Sequence, residues 1–161
     1  MDFMKDLIIR RAVEADLPAI NRLLVQVHRI HSESRPDLFR PNRPGFSPDA
    51  FAEMLADGSH LILVAEKFGQ ILAYLFCVSK PNPDRSLFHD VRTLSIEDLC
   101  VDEAARHKHI GVRLYEYVLD YGRKHGFYNI VLNVWTDNTA ALRFYERIGM
   151  KAQKIGMETI L

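Results

Sequence analysis

Residues 97–114 constrain the fold of this 161-residue chain more than any other segment. They read Glu-Asp-Leu-Cys-Val-Asp-Glu-Ala-Ala-Arg-His-Lys-His-Ile-Gly-Val-Arg-Leu, which predicts a strand, a short basic loop and the first turn of a helix. Unpaired amides at a helix N-terminus and the positive end of the helix dipole bind phosphate groups. The segment therefore indicates a phosphate-binding turn, as in a cofactor-using enzyme.

The composition is that of one ordinary globular domain, which we expect to cover residues 1–161. Apolar residues make up 48% and charged residues 26% of the chain. Lys plus Arg and Asp plus Glu both total 21, so the charge supports neither a nucleic-acid nor a membrane partner. The separated Cys77 and Cys100 predict neither a disulfide framework nor, with no other ligand cluster, a metal site. Without a signal-peptide pattern or an apolar run of membrane-spanning length, we expect a cytoplasmic protein.

Hydrophobic periodicity predicts a mixed α/β domain with a twisted, mainly antiparallel sheet flanked by helices. Strands are expected at 7–12, 60–67, 70–79, 93–101, 129–135 and 151–160. Helices are expected from Asp16 to about Arg29, from Ser47 to Gly58, over 111–125, and from Asp137 or Asn138 to Gly149. Phe68-Gly69 splits two strands into a hairpin.

Two motifs between residues 96 and 150 resemble the GCN5-related N-acetyltransferase (GNAT) family. The first is Leu99-Cys100-Val101-Asp102 followed by Arg106-His107-Lys108-His109-Ile110-Gly111, and the second is Asn133-Val134-Trp135-Thr136-Asp137-Asn138-Thr139-Ala140-Ala141 with Phe144-Tyr145-Glu146-Arg147-Ile148-Gly149. Residues 9–17 are also similar to the opening strand and helix of the family. The resemblance implies a splay between the strands at 93–101 and 129–135, and acetyl-CoA as the co-substrate without a metal.

The resemblance also implies which residues hold coenzyme A. Its pyrophosphate would lie on the loop and helix start, and its pantetheine arm would pair with the strand before them. The implied cofactor-binding residues are Leu99, Cys100, Val101, Arg106, His107, Lys108, His109, Ile110, Gly111, Val112 and Asn138. The family has a glycine where this chain has His109, but histidine tolerates positive φ better than most residues. The alternatives to coenzyme A binding are a solvated basic loop for these residues and, for Asn138, a helix cap without a ligand contact.

Glu97 and Tyr145 are the predicted catalytic residues. The pair Glu97-Asp98 is similar to that of diamine acetyltransferases in the family, in which the glutamate helps to deprotonate the amine. An amine with a pKa near 10 arrives protonated, so a base is required. Strict alternation along the strand puts Ser95, Glu97, Leu99 and Val101 on one face, and Ile96, Asp98 and Cys100 on the other. Asp98 is therefore interpreted as structural, and Glu97 as either the base or a paired structural carboxylate.

Tyr145 matches the tyrosine with which the family protonates the departing thiolate, although it also falls on the apolar stripe of its helix and could simply be packed there. Trp135 and Phe144 are expected in the core.

The acceptor is poorly specified by the sequence. The region that forms the acceptor site in the family contains His28, His31, Arg35, Asp37 and Phe39. The loops at 28–49 and 80–92 are not acidic, which disfavours a polyamine and favours a small-molecule primary amine. The alternatives are a protein N-terminal or lysine acetyltransferase, and a non-catalytic acyl-CoA-binding regulatory module. A homodimer is possible, since family members are often dimers.

Overall fold

The computed structural model of the protein describes residues 3–82 and 84–161. Over these residues one sheet has the strand order β1-β2-β3-β4-β5, antiparallel except for the β4–β5 pair. The elements are β1 (Leu7–Arg11), α1 (Leu17–Ser34), α2 (Pro48–Ala56), β2 (His60–Lys67), β3 (Gln70–Pro81), β4 (Arg92–Val101), α3 (Ile110–Lys124), β5 (Asn129–Leu132) and α4 (Thr139–Arg147). The predicted single mixed α/β domain with a mainly antiparallel sheet is confirmed.

The two faces of the sheet bury separate apolar clusters. On one face Ile110, Leu114 and Val118 of α3 pack against the central strands. On the other, Ile20, Leu23 and Leu24 of α1 pack with Phe51 of α2. Burial of these side chains stabilises each layer by roughly 1.5–3 kcal/mol per large apolar residue. No helix within the described ranges has both the length and the hydropathy to cross a bilayer.

The hairpin between β2 and β3 is confirmed at Phe68-Gly69. Both residues have positive φ, 50° and 77° respectively. Two consecutive left-handed residues are typical of the two-residue turns whose twist matches that of paired strands.

A β-bulge at Glu97 makes the predicted alternation along β4 wrong. Phe76 of β3 is opposite Asp98, but the next residue, Cys77, is opposite Ile96, so Glu97 is the extra residue. Because of this extra residue, the side chains after the bulge lie on the face of the sheet opposite to the one that strict alternation from Ile96 predicts. Leu99 and Val101 consequently pack in the same cluster as Ile96, and Cys100 packs in the cluster on the α1 face. Local sequence patterns do not reveal a bulge, because each side of it alternates normally.

Two element boundaries and one helix cap also differ from the prediction. Helix α1 continues to Ser34, five residues beyond Arg29, and β5 ends at Leu132 rather than at 135. Asp16 lies at the start of α1, but its carboxylate accepts hydrogen bonds from Arg10 and from the amide of Val13 instead of capping the helix. Arg10 is a stronger partner for the Asp16 carboxylate than the free amides of the first turn of α1, because its hydrogen bonds are charge-assisted.

The predicted strand at 151–160 is wrong for this structure. Residues 151–161 have no regular secondary structure and are exposed. The apolar pattern of the segment favours a strand, but no sheet edge is paired with it.

Asp102 at the end of β4 gives a stability prediction. Its carboxylate pairs with Arg22 of α1 and accepts a 3.1 Å hydrogen bond from the amide of Ala104. The Arg22 hydrogen bond lowers the pKa of Asp102 despite burial, so its stabilisation is complete above pH ~4 and is lost as the pH falls through the lowered value. Asp102→Ala should cost about 1–3 kcal/mol of unfolding free energy at pH 7 and progressively less in acid. Urea denaturation over a pH series checks this, with Asp102→Asn as the control that keeps the cap. An equal loss at pH 7 and at the acid end would contradict it.

Candidate active site

The sheet opens between β4 and β5. The parallel pairing runs from Thr93–Asn129 to Ile96–Leu132 and stops there, although β4 continues to Val101. The edge of β4 from Glu97 to Val101 therefore has no neighbouring strand on the β5 side. An exposed strand edge of this kind can pair with an extended ligand through main-chain hydrogen bonds.

The loop after β4 presents a row of free amides to the same region. His107 and His109 have φ of 63° and 59°, so both are left-handed, and His109 immediately precedes α3. Among the described residues, no partner accepts a hydrogen bond of normal geometry from the backbone N–H groups of residues 107–112. Free amides at a helix N-terminus form an anion site. The positive φ of His109 is one that histidine tolerates better than most non-glycine residues.

The flanks of this loop are held by contacts within the chain. Arg106 Nε donates to the carbonyl of Val101 at 3.2 Å, and Lys108 Nζ donates to the carbonyl of Ala104 at 3.4 Å. Gly111 lies against α4, where a Cβ would come within 3.1 Å of Phe144 Cζ. A glycine at 111 thus lets α3 approach α4 closely, a reason for this residue that is independent of any ligand.

His109→Gly tests whether the histidine side chain has a role in binding. A left-handed conformation costs a non-glycine residue roughly 1–2 kcal/mol, and glycine relieves this cost while adding unfolded-state entropy. We therefore expect little change in stability and a coenzyme A dissociation constant within about twofold of the wild-type value, measured by calorimetry. A tenfold or larger loss would mean that the imidazole itself contacts the ligand.

Glu97 lies in the bulge, where the β4–β5 pairing ends. Its carboxylate forms an ion pair with Lys80 of β3, with 2.6 Å between Nζ and Oε1. Partial burial raises its pKa, but hydrogen bonds from Lys80 and Ser95 outweigh that effect and lower it. Glu97 is thus a paired carboxylate at the rim of the opening, with 35% of its side chain exposed.

Asp98 is the more enclosed carboxylate of the pair. Because of the bulge it lies on the α1 face of the sheet, with only 17% of its side chain exposed. Burial raises its pKa, and Arg43, whose Nη1 is 3.5 Å from Oδ2, offsets this effect in part. Beside it lies the hydroxyl of Tyr74, a residue that is 1% exposed, and the proximity of this hydroxyl to the carboxylate lowers the pKa of Asp98, which offsets part of the effect of burial. A buried carboxylate with a buried hydroxyl beside it can receive a polar ligand.

Tyr145 lies on α4 near Asp98. Its ring packs edge-on against Phe144 with 5.2 Å between the centroids. Burial, with smaller contributions from Asp98 and Cys77, raises the pKa of Tyr145 to about 12. The hydroxyl therefore stays protonated at neutral pH, as a proton donor must. Asn138 caps α4 by accepting a 3.2 Å hydrogen bond from the amide of Ala141, which confirms the cap and leaves its contact with a cofactor a prediction.

The predicted acceptor residues form an aromatic cluster at the end of α1. Phe39 stacks on His31 with 5.4 Å between ring centroids and meets Trp135 edge-on at 5.5 Å. His28 is 6.1 Å from Phe39, and the Arg35 guanidinium lies 5.8 Å from the centroid of Trp135. Burial lowers the pKa of His31, which keeps it neutral. Trp135 is 40% exposed, so it lines this cluster and does not belong to the core, contrary to expectation.

Asp37 serves mainly to orient Arg35. Two hydrogen bonds of 2.7 Å and 2.9 Å join the Asp37 carboxylate to that guanidinium. Arg35 also pairs with Glu158 at 2.6 Å. The Arg35 charge is thus matched within the protein.

Sequence reasoning missed three residues beside the opening: Asp98 as a site group, Tyr74 and Arg43. Asp98 was misplaced by the unseen bulge. Tyr74 resembles any core residue in an apolar strand, and only the structure shows that its hydroxyl lies beside Asp98. Arg43 lies in a proline-rich loop and reaches Asp98 across 55 residues of sequence, a contact that no local pattern indicates.

No group of three or more His, Cys, Asp or Glu side chains within residues 3–82 and 84–161 is arranged to hold a metal ion. The site consists of the unpaired edge of β4, the anion-binding turn before α3, the carboxylates of Glu97 and Asp98, the protonated Tyr145 and the aromatic cluster around Phe39.

Known proteins resemble this chain in sequence and in fold. The model of the acetyltransferase (GNAT) family matches residues 24–150. The crystal structure of a tetramutant of the BH1408 protein from Bacillus halodurans is 35% identical, with a TM-score of 0.90, and the alignment covers 96% of this chain and 99% of that one. Glucosamine-6-phosphate N-acetyltransferase from Arabidopsis thaliana has the same fold, with 23% identity, a TM-score of 0.72 and coverage of 96% and 97%.

A sequence comparison with glucosamine 6-phosphate N-acetyltransferase of Arabidopsis thaliana gives 34% identity over 62 residues, which is 38% of this chain and only 40% of that protein. The family match covers most of the chain and includes both motifs of the site. The chain belongs to the GNAT acetyltransferase family, whose enzymes use acetyl-CoA as co-substrate.

Proposed function

We propose that the protein transfers the acetyl group of acetyl-CoA to a primary amine of a small molecule, with both substrates bound together. The observation that carries this proposal is the row of free amides at 107–112, next to the unpaired β4 edge and the Tyr145 hydroxyl. The amides suit the pyrophosphate, and the strand edge suits the pantetheine arm. Ten of the eleven cofactor-binding residues predicted from sequence lie in two runs along this segment, Leu99–Val101 and Arg106–Val112, and the eleventh, Asn138, lies at the start of α4.

Each residue of the site has a defined task in this reaction. Acetyl-CoA supplies a thioester whose carbonyl carbon is attacked by the neutral amine. Main-chain N–H groups of Leu99–Val101 stabilise the charge that develops on the carbonyl oxygen. Tyr145 donates its proton to the departing thiolate. Holding amine and thioester in attack geometry contributes much of the rate.

Two carboxylates are available to take the proton from the amine. Glu97 was the first choice from sequence and stays a prediction, but its Lys80 partner lowers its pKa and makes it the weaker base. Burial raises the pKa of Asp98, which brings it closer to the value that suits a base at neutral pH. These contacts favour Asp98 as the group that receives the ammonium and accepts its proton, with Glu97 acting at the rim.

The surroundings of Asp98 support a compact acceptor. The Phe39–Trp135 pair and His31 provide an apolar aromatic wall of the kind that contacts the carbon skeleton or the cationic head of an amine. Arg43 places a guanidinium beside Asp98, and Arg35, which is paired with Asp37 and Glu158, lies beside Trp135. This mixture fits a small amine that also carries an anionic or polar group, such as an amino-acid-like molecule.

Polyamines should be poor substrates for the same reason. Spermidine carries several positive charges, but the carboxylates near Arg35, Arg43 and Lys80 are already paired with these side chains, so the additional charges would find no free carboxylate. We expect kcat/KM for spermidine at least about 100-fold below that of a monoamine carrying a carboxylate, a difference of about 2.7 kcal/mol. Steady-state assays of thiol release would measure kcat/KM for both amines. Efficient spermidine turnover with a low KM would contradict the proposal that the acceptor is a small amine with an anionic or polar group.

A pooled amine library tests the function itself. The protein is incubated with acetyl-CoA and the library, and free thiol is followed over time. We expect release that depends on a small amine. Release only with peptides would favour a protein N-terminal or lysine acetyltransferase. Tight acetyl-CoA binding without acceptor-dependent release would favour a non-catalytic binding module.

A further inference from the structure

The guanidinium of Arg35 has two edges, and each edge holds a carboxylate. Nε and Nη2 donate to the carboxylate of Asp37 at 2.9 Å and 2.7 Å. Nη1 and Nη2 donate to the two carboxylate oxygens of Glu158 at 2.6 Å and 3.3 Å. The contact with Glu158 is therefore a bidentate pair, which is the geometry with which arginine recognises a carboxylate specifically.

The two carboxylates are attached to the protein in different ways. Asp37 lies in the turn that follows α1, where the amide of Phe39 donates to the carbonyl of Arg35 at 2.9 Å. Glu158 belongs to the segment 151–161, whose residues are all exposed and whose backbone makes no hydrogen bond with any described residue. Among the described residues, the polar side-chain contacts of that segment are those of Glu158 with Arg35. Asp37 thus fixes one edge of the guanidinium, whereas Glu158 occupies the other edge and can leave it.

Another anion can replace Glu158 at this edge. The Glu158 side chain is 57% exposed, and ion pairs of exposed side chains contribute little to stability. The Arg35 side chain is 16% exposed with Glu158 in place. Departure of Glu158 therefore opens the Nη1–Nη2 edge to a ligand, while Asp37 keeps the guanidinium in its orientation.

This edge of Arg35 lies beside the acceptor side of the site. The guanidinium is 5.8 Å from the ring centroid of Trp135, which packs against Phe39 in the aromatic cluster. His31 stacks on Phe39 and is close enough to Asp98 for an electrostatic interaction between the two side chains. Arg35 follows His31 by four residues on α1, which is about 6 Å along the helix axis. The guanidinium and the Asp98 carboxylate therefore lie at different points along one aromatic wall.

A carboxylate and a guanidinium at two points of an aromatic wall are complementary to an amine that carries its own carboxylate. We propose that the Nη1–Nη2 edge of Arg35 is the subsite for the carboxylate of the acceptor, and that Glu158 occupies this subsite until an acceptor displaces it. Asp98 then holds the ammonium group, and the rings contact the carbon chain between the two charges. The proposal rests on the proposed acetyl transfer and names its acceptor class, amines with a carboxylate at the opposite end.

Removal of Glu158 and removal of Arg35 should have opposite effects on the acceptor. Glu158 reduces the fraction of molecules whose Arg35 edge is free, which raises the apparent dissociation constant of an acceptor that needs this edge. The measurement is the KM of the better acceptor of 4-aminobutyrate and 6-aminohexanoate, divided by the KM of the alkylamine with the same number of carbons. This ratio should fall at least about threefold in Glu158→Ala and rise at least about tenfold in Arg35→Met.

Glu116→Ala is the matched control, because it removes another exposed glutamate that pairs with an arginine, on α3. It should leave the ratio of KM values unchanged. A ratio that rises in Glu158→Ala, or that stays unchanged in Arg35→Met, would overturn the proposal while acetyl transfer itself stands.

Trp135 provides a readout that needs no catalysis. It is the single tryptophan of the chain and lies beside Arg35, so its fluorescence should respond to a ligand at this edge. Hexanoate, a carboxylate without an amine, should change the emission of the wild type, with a half-saturating concentration at least about threefold lower in Glu158→Ala and at least about tenfold higher in Arg35→Met. This pattern would support the subsite even if no amine were acetylated, and the proposed function would then fail alone. No response in the wild type, or the same half-saturating concentration in Arg35→Met, would overturn the subsite.

Discussion

Asp98→Asn should lower kcat/KM for the amine acceptor by at least about 100-fold, within the range that general acid–base groups contribute. The asparagine keeps the size of the side chain but can neither hold an ammonium by charge nor take its proton. Asp98 lies on the acceptor side of the bulge, next to Arg43 and the buried hydroxyl of Tyr74. The affinity for acetyl-CoA should be unchanged, because that ligand would bind along β4 and the α3 N-terminus.

The same substitution should stabilise the protein at neutral pH. Burial raises the pKa of Asp98 in the folded state, so its favourable contribution is complete below the unfolded pKa near 4 and is lost as the pH rises through the folded value. At pH 7 the buried negative charge of Asp98 destabilises the folded state, and asparagine removes this charge. For Asp98→Asn we expect the free energy of unfolding to rise by about 0.5–2 kcal/mol at pH 7 and to change little at pH 4. Replacing a functional residue that is unfavourable for stability commonly has this effect. Loss of activity together with loss of stability would instead mark Asp98 as structural.

Glu97→Gln is the matched control at the adjacent residue. In the wild type, kcat/KM should decrease at low pH as Asp98 becomes protonated. This decrease at low pH, the acid limb of the profile, should persist in Glu97→Gln and disappear in Asp98→Asn. If Glu97→Gln removes the limb and Asp98→Asn keeps it, Glu97 is the base, as the sequence first indicated.

Tyr145→Phe should reduce kcat by about 10²-fold while changing the KM for acetyl-CoA by less than about twofold. Phenylalanine retains the ring that packs against Phe144 and loses only the hydroxyl. Since burial raises the pKa of Tyr145 to about 12, the hydroxyl remains a donor throughout the pH range of the assay. Steady-state kinetics with a thiol-release readout measures this. Phe144→Leu is the packing control and should affect stability more than kcat. Full activity of Tyr145→Phe would assign the tyrosine to packing alone.

The parts of the site that depend on local sequence could be predicted. The turn before α3 is defined by consecutive residues, and so the free amides could be inferred from one segment. The cap at Asn138 and the hairpin at Phe68-Gly69 have equally local causes.

The parts that depend on pairing between distant segments could not be predicted. The bulge at Glu97 arises from the register between β3 and β4, and it decides which of two adjacent carboxylates faces the acceptor side. The contact between Arg43 and Asp98 likewise requires the tertiary fold. The segment 151–161 has a strand-like pattern but no partner in its own chain, because a propensity for strand does not say which edge the strand joins.

The most direct test of acetyl transfer is product stoichiometry with the best acceptor from the amine library. Mass spectrometry would quantify free coenzyme A and N-acetylated amine in the same reaction, with wild type and Tyr145→Phe compared under identical conditions. The proposed mechanism predicts equal amounts of the two products, formed only when both substrates are present, and formed about 10²-fold more slowly by the variant. Coenzyme A released without acetylated amine, or at the same rate in both proteins, would contradict it.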